Sequence, residues 1–206
     1  MIAVITGDII NSTKGTPTDW LPYLKAALNF YGKESVDWDI FRGDSFQLRL
    51  HLNEAINAVF YIKAMVKQSA KHDVRMAIGI GKEDYIASQV SESNGTVYLR
   101  SGHLLDTLQK SNLAIVTANK SFDNSLNIMF KLALLIADQW SVKEAHIVSY
   151  LITYPNKKQT EIAKEHGKSQ STISAAIKRS GFSEIHQIHT YYLNNLHLIT
   201  NASTHS

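Results

Sequence analysis

The sequence predicts an α+β protein with an amino-terminal domain of strands and helices and an all-α carboxy-terminal domain. Apolar residues make up 44% and charged residues 19% of its 206 residues, proportions typical of a packed globular chain. Up to about residue 120, short apolar runs alternate with stretches of helical apolar spacing, and beyond it the spacing is helical only. We therefore predict a domain over residues 1–120, a connecting helix over 121–140 and a helical domain over 141–206.

The composition narrows the class of protein. The chain contains no cysteine, which excludes disulfides, cysteine nucleophiles and thiolate metal sites. Its first residues, MIAVITGD, lack the basic leader of a signal peptide. No uninterrupted apolar run approaches the roughly 18 residues that a membrane-spanning helix needs. We therefore expect a cytoplasmic protein without a membrane partner.

The first strand and helix are predicted from local patterns. Residues 2–6 form a short apolar run that ends at Gly7 and Asp8, as a buried strand followed by a turn would. Thr16 and Pro17 then suit a helix start, because proline at the first helical position lacks only an N–H that would have no partner there. Apolar residues follow this pair at helical spacing.

Two strand-like segments, residues 36–42 and 45–50, are joined by Gly43 and Asp44. A two-residue connection that begins with glycine is typical of a type II′ hairpin. Asn53 can cap a second helix, and residues 74–80 form a third apolar run. The resulting order, βαββαβ, is that of ferredoxin-like folds, in which both helices cover one face of an antiparallel sheet.

The end of the predicted amino-terminal domain is less regular. Residues 82–100 are rich in polar residues and glycine, and predict a loop or a weak hairpin. Ser101 and Gly102 resemble the start of a helix that carries three leucines, and residues 113–117 predict a further strand.

The carboxy-terminal part contains several helix boundaries. Ser141 and Glu144 form the pattern of a capping box, which predicts a helix through about Thr153. A later helix carries an aromatic stripe that either seals the domain or contacts a second copy. His186 and His189 lie one turn apart on it, but no carboxylate or thiol is near in sequence to complete a metal site.

Residues 159–179, QTEIAKEHGKSQSTISAAIKR, have the layout of a DNA-binding helix-turn-helix. Ala163 is small enough for two helices to cross closely, and Gly167 suits a turn that needs positive φ. Ser169 is a natural N-cap for a second helix, whose apolar face carries Ile173 and Ile177. The alternative interpretation is an ordinary helical hairpin within a core.

The other face of that second helix is polar and basic, which suits contacts to base edges and phosphates. Its candidate DNA-binding residues are Gln170, Ser171, Ser174, Lys178 and Arg179. Residues 141–206 contain 7 Lys/Arg and 4 Asp/Glu, whereas residues 1–140 contain 14 of each, so the net charge of +3 lies entirely with this segment. We expect DNA as a partner, and a homodimer because one recognition helix discriminates few base pairs.

Four motifs along the chain together resemble the SatD family of bacterial proteins. They are ITGDIINS, FRGDSFQLRL, RMAIGIG and SGHLLDTL, in that order. The resemblance covers nearly the whole chain and implies an α+β domain followed by a helix-turn-helix.

The same motifs more distantly resemble the palm domain of class III nucleotidyl cyclases. This resemblance implies that Asp8 and Asp44 hold Mg²⁺ or Mn²⁺ on a nucleoside triphosphate, since these ions prefer oxygen ligands. It also implies a nucleotide-binding role for neighbouring residues and a transition-state arginine. The nucleotide-binding candidates are Thr6, Gly7, Arg42 and Gly43, and the arginine candidates are Arg75 and Arg100.

The sequence also departs from the cyclase pattern. Ile40 and Phe41 stand near the position of the base-selecting lysine of cyclases, and residues 82–100 contain no recognisable base-selecting aspartate. The Gly-Asp pairs could serve only as turns, and Gly79 and Gly81 could allow close helix packing rather than phosphate approach.

Three functions therefore stay open at this point. The first is a DNA-binding transcriptional regulator whose cyclase-like domain binds a nucleotide or acts as a dimerisation scaffold. The second is a metal-dependent nucleotidyl-transfer enzyme with an attached nucleic-acid-binding module. The third is a structural adaptor in which both parts bind only protein.

Overall fold

A computed structural model describes residues 1–108 and 111–200, and it confirms the α+β class. Strands and helices are interspersed up to Val116, and every later element is helical. The strands are β1 Ile2–Ile10, β2 Trp38–Phe41, β3 Ser45–Leu50, β4 Asp73–Gly81 and β5 Leu113–Val116. The helices are α1 Pro17–Tyr31, α2 Ala55–Lys67, α3 Thr96–Thr107, α4 Lys120–Ala137, α5 Val142–Thr153, α6 Gln159–Glu165, α7 Gln170–Ser180, α8 Phe182–Asn194 and α9 His197–Thr200.

The five strands form one mixed sheet in the order β2-β3-β1-β4-β5. The first four are antiparallel to their neighbours, and β5 runs parallel to β4. Alternate residues of β1 point to opposite faces. Ile5 packs in the core that includes α1 and α2, whereas Val4 packs against residues of α3. The sheet is therefore covered on both faces.

Two glycines of β4 allow α3 to approach the sheet closely. A Cβ on Gly79 would lie 2.4 Å from the carbonyl oxygen of Val97, and one on Gly81 would lie 2.7 Å from Oγ1 of Thr96. The close packing of α3 on the sheet therefore accounts for both glycines, and the alternative explanation of phosphate approach is not needed.

The structure corrects two predicted boundaries. β1 continues through Gly7 and Asp8 to Ile10, so these residues do not form the predicted turn. Gly7 is required because a Cβ there would lie 2.7 Å from the ring of Phe46. The helix expected to begin at Ser101 begins instead at Thr96, and Ser101 is buried within it. Its hydroxyl accepts a 2.8 Å hydrogen bond from Thr6, which fixes that turn of α3 to the sheet.

The β2–β3 hairpin also differs from the prediction. Phe41 pairs with Ser45, so the connection contains three residues rather than two. Arg42 and Gly43 both adopt positive φ, at 54° and 92°. The predicted type II′ turn is wrong because β2 ends at Phe41 and not at Arg42. Arg42 therefore belongs to the connection, which is one residue too long for a two-residue turn.

The helical part packs directly on the sheet part through α2. Ten of the thirteen residues of α2 are buried, and one continuous apolar core contains residues of both parts. The ammonium group of buried Lys63 lies 2.7 Å from Asp73 and 2.6 Å from Asp138, which joins α2 to β4 and to the end of α4. No helix in residues 1–108 and 111–200 is both long enough and apolar enough to cross a membrane.

Candidate nucleic-acid interface

The turn between α6 and α7 has the geometry that its glycine predicts. Gly167 adopts φ 60°, and its N–H donates to the carbonyl of Lys164 at 3.2 Å. The next N–H, that of Lys168, donates to the carbonyl of Ala163 at 2.9 Å. This pair of hydrogen bonds is a Schellman motif, which ends α6 and satisfies two of its last carbonyls.

α7 begins at its predicted cap and buries its predicted apolar face. The hydroxyl of Ser169 accepts a hydrogen bond from the N–H of Thr172 at 3.2 Å. Ala163 and Ile173 are buried, and Ile177 is partly buried against the same core. Helices α5 and α6 both contact α7. The segment is thus a three-helix unit with one face of α7 left outside.

The outward face of α7 carries four of the predicted DNA-binding residues. Gln170, Ser171, Ser174 and Lys178 are all exposed. Ser171 lies 2.9 Å from the Ser169 hydroxyl. Within the part of the chain that the structure describes, the side chains of Gln170, Ser174 and Lys178 have no hydrogen-bonding partner. These groups are free to contact a ligand.

Arg179, the fifth predicted residue, is held by the protein itself. Its Nε lies 3.0 Å from a carboxylate oxygen of Glu144, at the start of α5. Hydrogen bonds from Ser141, followed by the pairing with Arg179, lower the pKa of Glu144. The Arg179 side chain is 59% exposed, so it can still reach solvent. Its first role is to attach the end of α7 to α5. Arg179 and Glu144 are 35 residues apart in the sequence, so no local sequence pattern predicts their contact.

Two lysines beside the turn were missed by the sequence argument. Lys164 and Lys168 are exposed on either side of Gly167. Among the residues that the structure describes, neither forms an ion pair. Together with Lys178 they place three unpaired positive charges around the α6–α7 unit.

The predicted carboxylate pair has a different arrangement. Asp8 lies beside Arg75 on the neighbouring strand, and the guanidinium donates to both carboxylate oxygens at 2.5 and 3.2 Å. This hydrogen bonding raises the pKa of Arg75. Asp44 accepts a 2.5 Å hydrogen bond from Ser12. The described residues contain no group of three or more His, Asp or Glu that could hold a metal ion. A metal on Asp8 would have to displace Arg75, so this donor set does not fit a two-metal centre.

The predicted nucleotide-binding residues are not brought together on one surface. Thr6 and Gly7 are buried in the sheet, where they contact Ser101 and the ring of Phe46. Arg42 and Gly43 are exposed at the hairpin tip. Of the two candidate transition-state arginines, Arg75 binds Asp8, and Arg100 donates to the Ile80 carbonyl at 2.5 Å.

Comparisons of the chain with protein-family models, curated proteins and solved structures gave no match. The choice between the predicted sites therefore depends on geometry. Only the α6–α7 segment presents its candidate residues on one exposed, largely unpartnered face.

A substitution pair tests the left-handed turn. Gly167→Ala should lower the free energy of unfolding by about 1 kcal/mol, because a Cβ disfavours positive φ. Gly102 is the matched control, since it lies inside α3 and a Cβ there would meet no atom within 4 Å. Gly102→Ala should raise the free energy of unfolding by about 0.5–1 kcal/mol. Urea unfolding measures the free energy of unfolding of both variants. Changes of the same sign in the two variants would contradict the left-handed conformation of Gly167.

Proposed function

We propose that this chain is a DNA-binding transcriptional regulator in which α5, α6 and α7 form a helix-turn-helix domain. The observation that carries the proposal is the outward face of α7, which is polar, exposed and largely without partners. The solvent side of a surface helix is ordinarily polar, so the support for DNA recognition comes from this face together with the glycine turn, the cap at Ser169 and the local excess of positive charge.

The residues divide into two roles by their place on α7. Gln170, Ser171 and Ser174 lie in its first turns, the part of a recognition helix that contacts base edges. The glutamine side-chain amide can donate one hydrogen bond to adenine and accept another from it. The serine hydroxyl can contact several bases. Lys178, with Lys164 and Lys168, supplies charge for phosphates, which fixes position without sequence preference.

The amino-terminal domain serves in this proposal as a scaffold. Its element order and the strand order β2-β3-β1-β4 support the assignment of a ferredoxin-like unit, to which α3 and β5 are additions. The pairing of Asp8 with Arg75 favours a structural role over nucleotidyl transfer. The resemblance to the SatD family agrees with this architecture and stays a prediction.

We further propose that the regulator is a homodimer that associates through α4. The solvent face of α4 carries four apolar residues at spacings of four, three and one: Ile128, Leu132, Leu135 and Ile136, which are 60%, 61%, 73% and 41% exposed. Lys131 is the only charged residue among the exposed residues of this helix between Ile128 and Ile136. The stripe lies beside the DNA-binding unit. Gly181, the residue that follows α7, is so close to it that a Cβ on Gly181 would be 3.2 Å from the side chain of Ile136. A second copy on this stripe would supply the second recognition helix.

Fluorescence anisotropy with duplex DNA tests the two roles on α7. Lys178→Ala should weaken binding to all duplexes and reduce the slope of log affinity against log salt by about 1. Gln170→Ala and Ser174→Ala should change the preferred sequence, with a cost of about 1–3 kcal/mol on the preferred site. Lys33→Ala, at an exposed lysine after α1, is the control and should change neither.

The base-contacting role would be contradicted if Gln170→Ala and Ser174→Ala weakened binding to every duplex by the same factor. DNA binding by this face would be contradicted if Lys178→Ala and Lys33→Ala behaved alike.

Sedimentation velocity tests the proposed dimer surface. Leu132→Glu and Leu135→Glu should each convert a dimer to a monomer, because a charge in an apolar interface is costly. The control is Leu99→Glu on α3, since Leu99 is 57% exposed but lies outside the stripe. A wild-type chain that sediments as a monomer, or a dimer that both stripe variants leave intact, would contradict the assignment.

A further inference from the structure

Two histidines meet between α5 and the end of α6. The Nε2 atoms of His146 and His166 lie 3.2 Å apart. His146 projects from α5, and His166 is the C-cap residue that follows α6, directly before the glycine turn. Neither belongs to the predicted DNA contacts, and the two residues are 20 positions apart in the sequence.

The other nitrogen of each ring faces a carbonyl oxygen. Nδ1 of His166 lies 2.9 Å from the carbonyl of Ile162, and Nδ1 of His146 lies 3.3 Å from Oε1 of Gln68. The amide of Gln68 is oriented by its NH₂ group, which donates to the Ala64 carbonyl and to the Ser149 hydroxyl. Carbonyl oxygens only accept hydrogen bonds, so each ring carries its proton on Nδ1.

This tautomer assignment leaves two lone pairs in opposition. A neutral imidazole has one N–H, so a proton on Nδ1 makes Nε2 an acceptor. The Nε2 atoms of His146 and His166 then face one another without a donor between them. A cation between the rings, whether a shared proton or a metal ion, satisfies both lone pairs at once.

We propose that His146 and His166 bind one divalent transition-metal ion of the zinc class through their Nε2 atoms. Two imidazole ligands at about 2.0–2.1 Å from a tetrahedral zinc ion have nitrogens about 3.3 Å apart, close to the observed 3.2 Å. Imidazole nitrogen suits zinc, copper and nickel, whereas magnesium and calcium prefer oxygen. The described residues supply two protein ligands, and water molecules complete the coordination shell.

The surroundings support a metal ligand role for both rings. Carbonyl acceptors on Nδ1 are the usual outer partners of metal-bound histidine, because they fix the tautomer and the ring orientation.

Charged groups near the pair partly balance each other. Glu165 precedes His166, and its carboxylate is bound by Tyr150 and by Lys157. The ring of Tyr150 packs edge-on against His166 at a centroid distance of 4.8 Å. Both oxygens of the Glu165 carboxylate therefore have partners within the protein.

A metal ion here would cross-link two helices of the DNA-binding unit. His166 ends α6, whereas His146 lies on α5 next to Gln68 at the end of α2. Binding only to the folded chain raises its stability. The expected readout is therefore both metal uptake and resistance to unfolding.

Zinc titration of untagged protein tests the site by calorimetry and by thermal unfolding. The wild-type chain should bind one Zn²⁺ ion at this pair, and a zinc excess of about a hundred times Kd should raise Tm by several degrees. His146→Gln and His166→Gln should each reduce zinc affinity at least tenfold. The control is His186→Gln, which removes an exposed histidine of α8 next to His189 and should leave zinc affinity unchanged.

Thermal unfolding without zinc separates ligand loss from misfolding, since both test variants should keep a cooperative transition. The proposal would be overturned by wild-type protein that takes up no zinc and holds a shared proton between the rings, detected by nitrogen NMR of the imidazoles. Equal zinc affinity of the His146→Gln variant and the wild type would overturn it as well.

Discussion

The architecture depends on the burial of α2 from nearly all sides. A helix with apolar residues on every side is stable only when other elements cover it on every side. In α2, ten of the thirteen residues are buried. The sheet covers one side, and α5 covers much of another. The buried charged residue of α2, Lys63, is neutralised by Asp73 and Asp138. Removal of one partner of such a buried group is costly, so this contact also selects how α4 approaches the sheet.

The position of α7 follows from this packing. Helix α5 contacts both α2 and α7, so the side of α7 that carries Ile173 faces inward. Two further contacts hold its end: Arg179 binds Glu144, and the indole of Trp140 donates to the carbonyl of Ser180 at 2.8 Å. The remaining side of α7 has nowhere to pack. A scaffold built in this way presents a rigid polar helix face, which is what recognition of a groove requires.

The elements that the sequence predicted well are those that local chemistry determines. The capping box of Ser141 and Glu144 and the glycine turn at Gly167 depend on residues within five positions of each other. The contacts that the sequence could not predict join distant residues. Asp8 meets Arg75 across 67 positions, and Thr6 meets Ser101 across 95. The sequence placed Asp8 and Thr6 in a ligand site because it could not reveal these partners.

Selection of bound duplexes from a random DNA library tests the central claim most directly. A dimer that presents two α7 recognition helices should enrich a two-fold symmetric sequence whose half-sites lie one helical turn, about 10 base pairs, or a multiple of it apart. A Gln170→Ala selection run in parallel should enrich a different sequence in the half-sites while the spacing is retained. Failure of the wild-type chain to enrich any sequence would contradict the assignment of α7 as a recognition helix.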